Sequence, residues 1–179
     1  MATMHIGDIK TIAQRAHESA TVRESLFAAM QSDDRDEAVH SAWALTHLPK
    51  TDNDYIAVHR EPLTKLATTT ADTSLRRITL TLLERLEWQV ENTDETPEYY
   101  VALLDFSFEH LMMIDEPYGV RSLCMKLAYK LSIPFPELLD ELCQSLLLIE
   151  PTDLGRGVRH TRNKILKQLQ QNSDDTIQL

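Results

Sequence analysis

Glu37-Ala38-Val39-His40 sets a carboxylate and an imidazole three residues apart, on one face of any helix that contains them. A carboxylate-bridged di-metal centre takes two such pairs and two further glutamates, and the chain has no second copy. His40 and His47 stand two turns apart, roughly 10 Å along a helix, too far to chelate one ion unaided. Gly155-Arg156-Gly157 has residue types found in phosphate loops but lacks the GxxxxGK[ST] pattern, and it reads as a turn between helices. GxGxxG, GxSxG and HExxH do not occur. The expectation is a non-enzymatic protein with no catalytic residue, no metal and no cofactor.

The cations are more informative. From Asp94 to Glu116, and again from Phe135 to Asp153, every formally charged side chain is acidic. Between them lie Arg121, Lys126 and Lys130, and after them Arg156, Arg159, Arg162, Lys164 and Lys167, with no acid from Leu154 to Gln171. These eight form a candidate binding face for another protein or an acidic peptide. A nucleic-acid backbone is the alternative partner, but the total charge opposes it. With 18 Lys+Arg against 28 Asp+Glu the net charge is -10, the wrong sign for a general phosphate binder.

The elements that position these residues are helical. Glycine numbers 4 among 179 residues, and apolar side chains recur at three and four positions. Asp8, Thr21, Asp33-Asp34 and Asp72-Thr73 open segments with apolar faces. Asp52 to Thr68 reads as one helix interrupted at Pro62. Thr96-Pro97-Glu98 is a start signal, with Thr96 as cap and Pro97 at the first helical position. Further helices are expected from Pro117 to Leu131, Glu137 to Leu148 and Gly157 to Gln170. Trp43, Met112, Met113 and Met125 are expected in the core. So are Cys124 and Cys143, as reduced thiols. No segment from Met1 to Asp8 reads as a signal peptide, and no apolar run is long enough for a bilayer, so the cytoplasm is the expected location.

Four segments share a pattern. Asp34, Thr70, Asp115 and Asp153 each stand five residues before Val39, Leu75, Val120 and Val158, which are themselves spaced by 36, 45 and 38 residues. Leu75, Val120 and Val158 are each followed directly by arginine (Arg76, Arg121, Arg159), and Val39 by His40. This arrangement resembles the HEAT-repeat, or armadillo-like, family, whose units run about 40–47 residues. Asp115 to Arg121 is the best copy and Asp153 to Arg159 the next; the resemblance covers roughly residues 20 to 171.

The resemblance implies an all-α, right-handed α-solenoid or HEAT-like superhelix of about nine helices. It implies one domain over residues 1–171, with 172–179 a polar, frayed tail. It further implies that turn carboxylates Asp34, Asp115 and Asp153 pair with Arg76, Arg121 and Arg159, and that second helices line a concave face. The implied function is a protein–protein interaction scaffold. The alternative is nucleic-acid binding, by fold-level similarity to DNA-alkylation-repair proteins. Ile9 and Ile12, or Ile165 and Leu169, would supply a homodimer patch if their outer sides were exposed.

Overall fold

A computed structural model of the chain describes residues 6–89, 96–150 and 154–177, with side chains described through 171. All regular structure among them is helical, and no strand occurs among the described residues. The contacts gather into two compact units, Met1–Leu86 and Glu87–Leu179.

In the first unit the helices are α1 (Ile6–Glu18), α2 (Ala20–Ala29), α3 (Arg35–Thr46), α4 (Asn53–Ala57), α5 (Arg60–Thr69) and α6 (Thr73–Glu84), with a 3-10 turn at Lys50–Asp52. Ser19 caps α2, Asp34 caps α3 and Asp72 caps α6 through side-chain oxygens that accept first-turn amide protons. Sequence reasoning had placed the start of α2 at Thr21; Ser19 takes that role instead. The break expected at Pro62 falls earlier, at Val58-His59. Proline lacks the N–H that would bond the carbonyl four residues back, here Val58, and its ring crowds that carbonyl. Pro62 therefore sits within the first turn of a new helix, where the missing N–H costs nothing.

α3 packs on α1, α2 and α6, and α5 packs on α6. Leu75, Ile78 and Leu82 of α6 are buried as the periodicity predicts. In α3 the buried row is Ala38, Ala42 and Leu45, and the expected inward residues Val39 and Trp43 are only half-buried.

The second unit holds α7 (Glu98–Met112), α8 (Tyr118–Ser132), α9 (Pro136–Leu148) and α10 (Arg156–Ile177). Pro97 occupies the cap position of α7 rather than its first turn, and Pro136 begins α9. α10 continues to Ile177, beyond the expected limit at Gln170. α8 is the centre of the unit, packing on α7, α9 and α10. Val120, Cys124, Leu127 and Leu131 of α8 are buried, and so are Val158, Ile165 and Leu169 of α10. The Tyr100 hydroxyl donates to the Leu131 carbonyl, and its ring meets Trp88 edge-on at 5.8 Å.

Some expected core residues lie outside it. Met112 and Met113 are exposed, because α7 ends at Met112 and Leu111 takes the inward position of its last turn; Met125 is buried as expected. Cys124 is buried and Cys143 half-buried, and no disulfide is present among the described residues. The proposed homodimer patches are not available as such. Ile9, Ile165 and Leu169 are buried, and Ile12 is half-buried.

Candidate functional site

The last carbonyls of an α-helix have no partner within the helix and carry the negative end of its dipole. Where such an end is buried, a donor must come from elsewhere. In this chain arginines of the following helix supply it. Arg23 Nη1 donates to the Ala16 and His17 carbonyls at 2.9 and 2.8 Å, at the end of α1. Arg76 Nη2 donates to Thr70 at 2.6 Å, at the end of α5. Arg121 Nε reaches Leu111 at 3.2 Å, at the end of α7, and Arg162 Nε reaches Leu146 at 2.7 Å, at the end of α9.

The turn carboxylates act differently from the implied scheme. Asp34 accepts the amide protons of Asp36 and Glu37 at 2.9 and 3.1 Å and so caps its own helix. Asp72 accepts from the Leu75 amide at 2.8 Å and also from Arg35 Nε, which comes from the preceding repeat. That amide bond is the largest cause holding the Asp72 carboxyl below the usual carboxylate range, with Arg35 adding to it. Asp115 is exposed. Arg121 turns away from it to the Leu111 carbonyl, because a buried helix end needs the donor more than a solvated carboxylate does. Asp153 lies outside the described residues; Arg159 Nη2 donates to the Leu154 carbonyl at 3.3 Å. Asp34 thus caps its own helix, while Arg76 and Arg121 cap the ends of α5 and α7.

Arg85 was not singled out by its sequence. It collects the Thr46, Leu48 and Pro49 carbonyls at 3.1, 3.0 and 3.2 Å and the Asn53 side-chain oxygen at 2.8 Å, fixing the chain between α3 and α4. Burial lowers its pKa, partly offset by Asp52.

The eight candidate cations separate into two groups. Arg121 and Arg162 are buried and belong to the core. Both lie on buried helical rows, Arg121 with Met125 and Ala128, Arg162 with Val158 and Ile165, and that spacing was the available signal. Lys126, Arg156, Arg159, Lys164 and Lys167 are exposed, and Lys130 is half-buried. They stand on α8 and α10, which pack together and share a hydrogen bond between Ser122 Oγ and Thr161 Oγ1 at 2.7 Å. Among the described residues, Lys126, Arg156, Lys164 and Lys167 form no salt bridge.

The remaining candidates stay apart. Glu37 is exposed and His40 half-buried, and the described residues contain no group of three or more His, Cys, Asp or Glu placed to hold a metal. His47 lies 6.0 Å from the Trp43 ring and lines a cleft of about 250 Å³ with Lys10, Ala13, Gln14 and Pro49. No described helix is long and apolar enough to cross a membrane.

Helices joined in successive hairpins, with arginines of α2, α6, α8 and α10 reaching back to cap the helix before, define an all-α helical-repeat protein. The chain belongs to the HEAT-repeat family, the model of the HEAT repeat domain matching residues 1–169. Comparisons with curated proteins and with solved structures returned no match.

Proposed function

We propose that the chain is a non-enzymatic protein-interaction module that holds an acidic segment of another protein against Lys126, Lys130, Arg156, Arg159, Lys164 and Lys167. The observation that carries this reading is the exposure of Lys126, Arg156, Arg159, Lys164 and Lys167 on two adjoining second helices, with no acid from Leu154 to Gln171. Cations gathered on one face together attract a run of carboxylates. Membership of a family of helical-repeat scaffolds supports the same reading.

The test is fluorescence anisotropy of the full chain with a labelled glutamate-rich peptide, set against an oligonucleotide of equal net charge. The peptide is expected to bind at low salt and to release as salt rises. Charge reversal at Lys164 and Lys167 together is expected to abolish binding. Arg162 is unsuited to such a swap, since a carboxylate in its place would be buried beside the Leu146 carbonyl. Preference for the oligonucleotide would replace the reading with nucleic-acid binding. No binding of either would end it.

A further inference from the structure

The second unit exposes large apolar side chains at one end. Met112 closes α7, Met113 and Ile114 follow in the turn, Tyr118 opens α8, and Leu147 and Leu148 close α9. Ile114 and Leu148 are each 75% exposed and Tyr118 57%. The two turns adjoin. The Tyr118 ring lies so close over Gly155 that a Cβ there would sit 2.8 Å from the ring. α7 and α9 also pack on the same helix, α8. The inward positions of the same last turns are filled, with Leu111 and Leu146 fully buried, so the exposed residues are surplus to the core. An apolar cluster rimmed by polar side chains marks a contact surface rather than ordinary scatter.

The rim decides what fits there. Glu109, Asp115, Glu141 and Glu150 are exposed on these two hairpins, neither α7 nor α9 carries a Lys or Arg, and against these acids this end has the exposed Arg156 at the start of α10. An occupant must bring apolar side chains flanked by cations. A second copy of this chain does not meet that need with its own basic helix. The apolar residues of α10, Val158, Ile165 and Leu169, are already buried beneath Arg156, Lys164 and Lys167.

We infer that this end of the second unit docks a basic amphipathic helix of another protein. The helix sets its apolar stripe on Ile114, Tyr118 and Leu148 and its lysines and arginines against Glu109, Asp115, Glu141 and Glu150. Met112 and Met113 adapt to its side chains, methionine being unbranched and polarizable. The recognition mode is a helix laid with i, i+3, i+4, i+7 anchors on an apolar surface. Lys164 and Lys167, the pair reversed in the other test, stand two turns or more along α10 from Arg156, so the two surfaces are tested by different variants.

The experiment is anisotropy titration of the full chain with a labelled synthetic peptide that has leucines at i, i+3, i+4 and i+7 and lysines between. Controls are a scramble of the same composition and a version with glutamate for lysine. Tight, salt-weakened binding of the first peptide alone is expected. The exposed-site double variant Ile114→Ser/Leu148→Ser, folded by circular dichroism, is expected to lose about tenfold or more in affinity. Equal binding of the scramble would reduce the site to charge and overturn the inference. Unchanged affinity in the double variant, or no binding at low salt, would also overturn it. So would light scattering that finds a dimer lost in the double variant, since the cluster would then join two copies.

Discussion

Arg162 donates from Nε to the carbonyl oxygen of Leu146 at 2.7 Å, so a guanidinium on α10 closes the buried end of α9. Its Nη1 also donates to the Asn163 side-chain oxygen at 3.1 Å. Replacing Arg162 with alanine removes the cap, leaves a buried carbonyl unpaired and empties the space of a long stem. Arg162→Ala is expected to lower unfolding free energy by about 3 kcal/mol, and Arg162→Met, which refills the stem, by about 1–2 kcal/mol. Urea unfolding measures both, as a shifted midpoint at unchanged slope. Lys164→Ala, two residues on and exposed, is expected to stay within about 0.5 kcal/mol of the parent. Equal losses at 162 and 164 would mean that Arg162 is not a cap.

The same pair shows what the sequence could and could not reveal. Helices and repeat anchors were legible because burial repeats with helical period, and Leu75, Val120 and Val158 are all buried. Val39, the anchor of the first copy, is only half-buried, because two adjacent rows on α3 are both apolar and the buried one is Ala38, Ala42 and Leu45. The HEAT-like character was legible from the turn residues and is matched by the family model. The roles of those residues were not. Whether an arginine meets a carboxylate or a carbonyl depends on where the previous helix ends in space. Met112 and Met113 are apolar in type yet exposed, because they stand at the end of α7 and just after it while Leu111 takes the inward position.

Asp72 caps α6 and holds Arg35. Asp72→Ala is expected to cost about 1 kcal/mol, the usual value of an N-cap oxygen. Its effect on pH dependence has a definite sign. The Leu75 amide, with Arg35, keeps the folded carboxyl more acidic than the unfolded one. As pH falls, the unfolded chain therefore takes up the proton first, and the stabilisation is lost from about pH 4 downward. Urea midpoints across that range are expected to fall less steeply for the alanine variant than for the parent. Parallel curves would show that the cap is not formed.

Tyr100 and Tyr55 govern the alkaline side. Burial raises Tyr100 to about 12; burial together with the Glu24 carboxylate raises Tyr55 to about 12 against the opposing pull of Arg23. An unfolded tyrosine ionises near pH 10. Above that pH the unfolded chain gives up phenolic protons that the folded chain keeps, so stability is present below pH 10 and falls as pH climbs to about 12. Tyr100→Phe is expected to weaken the fold near neutrality by about 1 kcal/mol, through loss of the bond to the Leu131 carbonyl. It is also expected to make the alkaline fall shallower. An alkaline limb as steep as that of the parent would show that the Tyr100 phenol is solvated in the folded chain.

Gly155 and Tyr118 form the remaining test, because it joins the fold to the proposed docking end. A Cβ at 155 would stand 2.8 Å from Cδ2 and Cε2 of the ring and 3.2 Å from Cγ. Contacts with ring atoms this near the backbone are not relieved by a small motion of a side-chain tip. Gly155→Ala is therefore expected to destabilise by about 1–2 kcal/mol, the range of a modest overpacking. Removing the ring as well, in Gly155→Ala/Tyr118→Ala, is expected to recover most of that loss relative to Tyr118→Ala alone, a coupling that a double-mutant cycle reads directly. If the two changes add without coupling, the ring does not rest on Gly155, and the two hairpin turns are not held together by this contact. The peptide titration with Tyr118→Ala then separates the roles of the ring. Loss of peptide affinity in that variant without loss of stability makes Tyr118 part of the docking surface, whereas loss of stability alone confines it to packing between turns.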